Sequence, residues 1–124
     1  MTWILDKNLT FAIVGASTNK DKFGYKVLMN LKGKGFKVVP VNPNCKKIEN
    51  MVCYPDLASM KDRPDVAVIV TPPEASLKIL QECARIKLRC IWFQPGASDE
   101  KVVKLAKEAC GEVVSDRCIM TETN

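Results

Sequence analysis

A single three-layer α/β domain, doubly wound around a mainly parallel sheet, is the fold class this chain predicts. Three observations carry that reading. Apolar runs of strand length alternate with amphipathic segments of helix length along the chain. The clearest run, Val66-Ala67-Val68-Ile69-Val70, has no in-and-out alternation, which suits a parallel strand covered on both faces. The run ending at Val14 passes directly into Gly15-Ala16-Ser17, the order strand, tight turn, helix.

Each element has its own reason. Thr10–Gly15 reads as a buried strand. Gly24–Lys34 reads as a helix with Val27, Leu28 and Leu31 on one face and Gly33 and Gly35 as stop signals. Phe36–Asn42 is a second strand. Its Pro40 has no N–H for a ladder, so the strand belongs at an edge or carries a bulge. Pro43–Tyr54 reads as a loop with a short strand around Met51–Tyr54, followed by a helical turn at Asp56–Met60. After the strand Asp65–Val70, Thr71 and Glu74 have capping-box spacing with prolines in the first turn. Leu77, Leu80, Cys83 and Ala84 supply that helix with its buried stripe. Arg89–Gln94 is a further strand and Pro95-Gly96-Ala97 a second glycine turn. Ser98 is the expected cap of a helix running to about Cys110, with Val102, Ala106 and Ala109 facing inward. Glu112–Ser115 closes the sheet, and Thr121–Asn124 is a polar tail expected to fray.

Composition narrows the function. The 124 residues fit one domain, 1–124, and the 47% hydrophobic and 27% charged content is an ordinary globular balance. No apolar run approaches the roughly 18–20 residues that cross a bilayer. Met1–Asp6 lacks the shape of a secretory signal. A cytoplasmic protein without membrane contact is the expectation. The net charge of +5 comes from scattered lysines with no aromatic residues between them, which argues against nucleic acid. Six cysteines occur without a C-x-x-C pair, and there is no histidine. A metal site is not expected, nor is any catalytic arrangement built on imidazole. Cys83, Cys90 and Cys110 fall within apolar patterns and read as free buried thiols. Cys45 with Cys53 is the pair to test for a bridge. Trp3, Trp92 and Phe93 fit either core or interface.

Right-handed crossovers bring all strand-to-helix turns to one rim, where open sheets of this kind bind ligands. Gly15–Lys22, Asn42–Pro43, Thr71–Pro73 and Gln94–Gly96 are expected to meet there. Backbone N–H groups at the positive end of a helix suit a phosphate. The dinucleotide fingerprint fails twice. Gly15-Ala16-Ser17-Thr18-Asn19-Lys20 lacks the second and third glycines, and the second strand ends in Val41-Asn42-Pro43 with no carboxylate for a ribose. No P-loop motif occurs. Lys20, Lys22 and Lys26 offer positive charge, and each also reads as a surface lysine. A lone glycine turn also serves as a plain βα connection.

Val14-Gly15-Ala16-Ser17, Lys22-x-Gly24, Val39-Pro40-Val41-Asn42-Pro43, Tyr54-Pro55-x-Leu57, Thr71-Pro72-Pro73 and Asp116-Arg117-Cys118 together resemble the small stand-alone CoA-binding proteins. These are single Rossmann-like domains related to the CoA-binding domains of succinyl-CoA synthetase alpha subunits and ADP-forming acyl-CoA synthetases. The resemblance runs from about Trp3 to Glu122 and implies coenzyme A, or an acyl-CoA, at the strand rim. It implies phosphate held by the Gly15-Ala16-Ser17 loop through backbone N–H groups and the Ser17 hydroxyl, with Lys22 adding charge and Val14 and Gly24 cofactor-binding residues of the same motifs. Asn42 and Pro43 would lie against the adenosine half. Thr71, Pro72, Pro73, Gln94 and Gly96 would line the way to the pantetheine arm. A cationic loop without an acidic residue after the second strand suits the ribose 3′-phosphate of CoA. The larger relatives pass phosphate through a histidine on another domain, so no catalysis is expected of this chain by itself. Phe23 stands where many relatives carry another residue. Cys118 reads either as a core thiol or as one that forms a mixed disulfide with CoA or lies near its thiol. Two other readings stay open: an NAD(P)-binding redox or sensor protein, and an interaction module with a vestigial nucleotide site. A partner enzyme or a homo-oligomer is compatible with any of the three.

Overall fold

The computed structural model describes residues 2–124; Met1 lies outside them. After a 3-10 turn at Thr2–Leu5 come β1 (Thr10–Val14), α1 (Phe23–Gly33), β2 (Lys37–Val41), β3 (Lys47–Ile48), β4 (Met51–Val52) and β5 (Val66–Ile69). Then follow α2 (Pro73–Arg85), β6 (Cys90–Phe93), α3 (Glu100–Ala109), β7 (Glu112–Val114) and α4 (Ile119–Glu122). The main sheet has the order β2-β1-β5-β6-β7 with every pair parallel. The chain steps from β1 outward to β2 and then returns to the other side of β1. That reversal puts a topological switch point between β1 and β5.

β5 and β6 are buried at every residue, which explains their unbroken apolar sequences. One face of the sheet packs on α1 and α4 through Phe11, Ile13, Val27, Leu28, Leu31 and Ile119. The other packs on α2 and α3 through Ala12, Ala67, Leu80, Cys83, Val102 and Ala106. Trp92 and Phe93 are fully buried core residues. Trp3 is half-buried, with the Arg89 guanidinium 4.7 Å from its ring centroid. Cys83 and Cys90 are fully buried, and burial pushes both thiols up to about 12.

Pro40 shows why β2 is an edge strand. The Val41 carbonyl turns inward and accepts from the Gly15 amide at 3.0 Å. The Pro40 carbonyl turns outward and accepts from Tyr54 N at 3.1 Å, so the donor that Pro40 lacks would have pointed away from β1. Tyr54 makes a parallel bridge to Val41. Before it, β3 and β4 form an antiparallel hairpin where only one short strand was expected. Glu49 and Asn50 both have positive φ, 47° and 68°, as a two-residue type I′ turn requires.

Four expectations need correcting. Thr71 does not cap α2: its N-cap is Pro72, without a side-chain bond, because the Thr71 hydroxyl pairs with Ser76 Oγ at 3.0 Å. Ala84 is exposed, and Ser76 takes a buried position on α2 in its place, donating to Ala97 O at 2.8 Å. Asp99, and not Ser98, caps α3 by accepting from Val102 N at 2.8 Å. The C-terminal residues are docked, not frayed: Thr123 is buried, and the Lys34 ammonium donates to Met120 O (2.7 Å), Thr123 O (3.0 Å) and Thr123 Oγ1 (3.1 Å). A cation on the last carbonyls of a helix satisfies acceptors that have no partner within it. Replacing Lys34 by alanine is expected to cost about 1–2 kcal/mol and to expose residues 119–124 to proteolysis. An unchanged urea midpoint together with unchanged proteolysis would refute the clamp.

Candidate functional site

The strand register continues past the strand ends and fixes the rim. Val70 N donates to Val14 O at 2.9 Å and Gln94 N to Ile69 O at 3.0 Å, which together with the Gly15–Val41 bond hold the turns after β1, β5 and β6 in line. Gly15 lies at the switch point with φ 97°, in the left-handed region that glycine tolerates. Gly24, in the first turn of α1, packs against the Gly15 carbonyl. A tight βα unit results, with α1 aimed at the turn.

The start of α1 is electrostatically unusual within this chain. Its N-cap, Lys22, contributes no side-chain bond, and no acidic residue stands in its first turn. By contrast, α3 has Asp99 as cap and Glu100 in its first turn. Ser17 Oγ accepts from Asn19 N at 3.0 Å and Asn19 Oδ1 from Asp21 N at 3.0 Å, so the loop is shaped by its own side chains. Among the described residues nothing accepts from the amides of Ser17 and Thr18. Lys20, Lys22 and Lys26 are exposed around this end. Open N–H groups, a positive helix terminus and nearby ammoniums make a place for an anion.

Two clefts flank the turn. The first, about 530 Å³, is bounded by Val14, Gly15, Asn42, Pro43, Pro55 and Leu57 and by the Glu74–Ile79 face of α2. The second, about 490 Å³, lies between Phe23, Val70, Thr71, Pro72, Pro95 and Gly96. Thr71 lines both. Three of the four segments expected at the rim therefore contribute walls, and the fourth does so through Pro95 and Gly96.

Not every expected residue faces a cleft. Gln94 is 1% exposed; its Oε1 accepts from Ile119 N at 2.8 Å and its Nε2 donates to Cys118 Sγ at 3.3 Å. It holds the tail and does not line the way to the second cleft. Ala16 is buried, and its carbonyl accepts from Asn42 Nδ2. Asn42 Oδ1 accepts from Asn44 N at 2.8 Å, so this side chain is committed to the protein and ties the second loop to the first. Ser17 is half-buried, Lys22 exposed and Pro73 the first residue of α2. Sequence reasoning missed the outer wall of the first cleft: Asp56, Glu74, Ala75, Lys78, Ile79 and Glu82. The Glu82 carboxylate is engaged there by Leu57 N at 2.8 Å, and that of Asp56 by Ser59 N at 2.8 Å. The i, i+4 pair Ala75 and Ile79, on the shoulder of the α2 stripe, was the available signal.

A five-stranded parallel sheet with helices on both faces and a glycine turn at its switch point defines a Rossmann-like α/β domain. The chain belongs to the CoA-binding domain family, whose model matches residues 9–124. It is 40% identical over 92 residues to the ADP-forming acetate–CoA ligase II of Archaeoglobus fulgidus, covering 72% of this chain and 14% of the ligase. A conserved hypothetical protein of Pyrococcus furiosus superposes with a TM-score of 0.87 at 40% identity, over 93% of this chain and 99% of that one. The dinucleotide-forming acetyl-coenzyme A synthetase 1 of Ca. Korarchaeum cryptofilum gives 0.73 at 29% identity, over 84% of this chain and 25% of the synthetase. The chain thus spans a small fraction of the named synthetases. Among the described residues no helix is long and apolar enough to cross a membrane.

Proposed function

We propose that this chain binds coenzyme A or an acyl-CoA at the rim, with the diphosphate on the Gly15–Ser17 turn and the start of α1. The adenosine half occupies the first cleft against Asn42 and Pro43. The pantetheine arm passes Thr71 and Pro72 toward Gly96 in the second. The observation that carries the reading is the N-terminus of α1, without a side-chain cap and without an acidic residue in its first turn, placed between two clefts. Membership of the CoA-binding domain family supports it. No chemical step is assigned to the chain; in this reading it holds the ligand for a partner enzyme.

Calorimetric titration with CoA, dephospho-CoA lacking the 3′-phosphate, and NAD tests the proposal. CoA is expected to bind, dephospho-CoA more weakly, and CoA binding is expected to weaken with salt. Binding of NAD in place of CoA would overturn it. Lys22→Ala is expected to weaken CoA on the order of 1 kcal/mol, near the low end for a charge-assisted contact because Lys22 is solvent-exposed. Unaltered affinity and unaltered salt dependence would remove Lys22 from the site.

A further inference from the structure

Part of the first cleft's wall is a turn whose polar ties to the protein all end on one side chain. Asp56 and Leu57 line that cleft, and so does one face of α2, where Ala75, Lys78, Ile79 and Glu82 follow the helical spacing i, i+3, i+4, i+7. Residues 55–60 belong to no helix or strand. Their bonds to one another are local: Met60 N donates to Leu57 O at 3.2 Å and Ser59 N to Asp56 Oδ1 at 2.8 Å. Among the described residues, the hydrogen bonds that leave the turn converge on the Glu82 carboxylate. Its Oε1 accepts from Leu57 N at 2.8 Å and from Ala58 N at 3.4 Å. Glu82 is half-buried and, among the described residues, has no ion-pair partner, so these amides are what it holds. The Leu57 side chain is buried in the core on the same side of the sheet and anchors the turn a second way. An apolar contact has no direction. The two hydrogen bonds do, and they set how the main chain of the turn is aimed.

We propose that Glu82 is a positioning residue: by holding the Leu57 and Ala58 amides it keeps the turn 55–60 in the form that completes the adenosine cleft. The latch stands on the hydrogen bonds alone; its bearing on ligand rests on the CoA reading. Without the carboxylate two amides lose their acceptor, one of them on a buried residue. They turn to water, and the turn pivots on the Leu57 side chain. Neither Glu82 nor any of residues 55–60 borders the second cleft, so the effect falls on the adenosine half. Charge alone predicts the opposite. Glu82 is an anion beside a ligand that carries several negative charges, and by Coulomb's law its removal would tighten binding.

The test compares the full chain with Glu82→Ala and Glu82→Gln. Hydrogen exchange of the free proteins reads residues 55–60 and 15–22, and calorimetry reads CoA. In Glu82→Ala, exchange at Leu57 and Ala58 is expected to rise while residues 15–22 keep wild-type rates, and CoA affinity to fall roughly fivefold or more. Glutamine loses the charge and keeps an oxygen acceptor, so Glu82→Gln is expected to restore most of the protection and most of the affinity. Wild-type exchange at Leu57 and Ala58 in Glu82→Ala would overturn the latch. Raised exchange there with equal or tighter CoA binding would overturn its bearing on the cleft, and so would a glutamine variant as impaired as the alanine one. If the wild-type chain takes up no CoA, the CoA reading fails, and exchange at Leu57 and Ala58 still decides the latch.

Discussion

Gly24→Ala is expected to destabilise the fold by about 3 kcal/mol, the size of effect seen when a buried contact cannot be relieved. A Cβ at residue 24 would overlap the Gly15 carbonyl oxygen and stand 2.9 Å from the Gly15 carbonyl carbon and 3.1 Å from Ala16 Cα. All three are main-chain atoms, so no rotamer change clears them. Alanine would return about 1 kcal/mol of helix propensity, which the overlap outweighs. To make room, α1 must move off the turn, which separates Val27, Leu28 and Leu31 from β1. The guanidinium midpoint should fall and CoA binding should be lost with it. A variant of wild-type stability would mean that α1 does not meet the turn in this way.

Gly15→Val is expected to abolish CoA binding. Here φ is 97°, which a β-branched side chain rarely adopts, and its Cβ would lie 3.0 Å from both Thr71 Cγ2 and Val70 Cγ2. These neighbours are side-chain methyls that can give way. The cost to folding is therefore smaller than at Gly24, on the order of 1–3 kcal/mol for the backbone strain. The added methyls would stand at the turn that the diphosphate is proposed to approach. Calorimetry of folded Gly15→Val showing wild-type affinity for CoA would move the anion elsewhere. The two glycines thus separate a folding effect from a binding effect.

The core of the fold was legible because burial on both faces leaves a plain record: Val66–Ile69 and Cys90–Phe93 contain no charged residue. Pro40 was legible for the same reason, since a missing donor has few places to go. The hairpin was not. Its strands are two residues each and its turn is Glu49-Asn50, without the glycine that marks most type I′ turns. Caps were misplaced where two suitable residues adjoin, as at Ser98 and Asp99, or where a hydroxyl finds a better partner, as Thr71 does in Ser76. The clamp of Lys34 on Thr123 joins residues far apart in the chain, and nothing local announces it. At the rim, the strand ends marked Gly15, Asn42 and Thr71. Gln94 occupies the same kind of position yet turns inward, because the tail supplies it with partners.

The flank bearing Pro40 has a bearing on assembly. Tyr54 already occupies the outer groups of its upper half, the ring can give no hydrogen, and the exposed Lys37 stands at the other end. A neighbouring molecule finds only the short stretch around Val38 left open there, beside a lysine. Propagating head-to-tail stacks of sheets need two receptive flanks, and this molecule withholds one, which works against fibre growth even at high concentration.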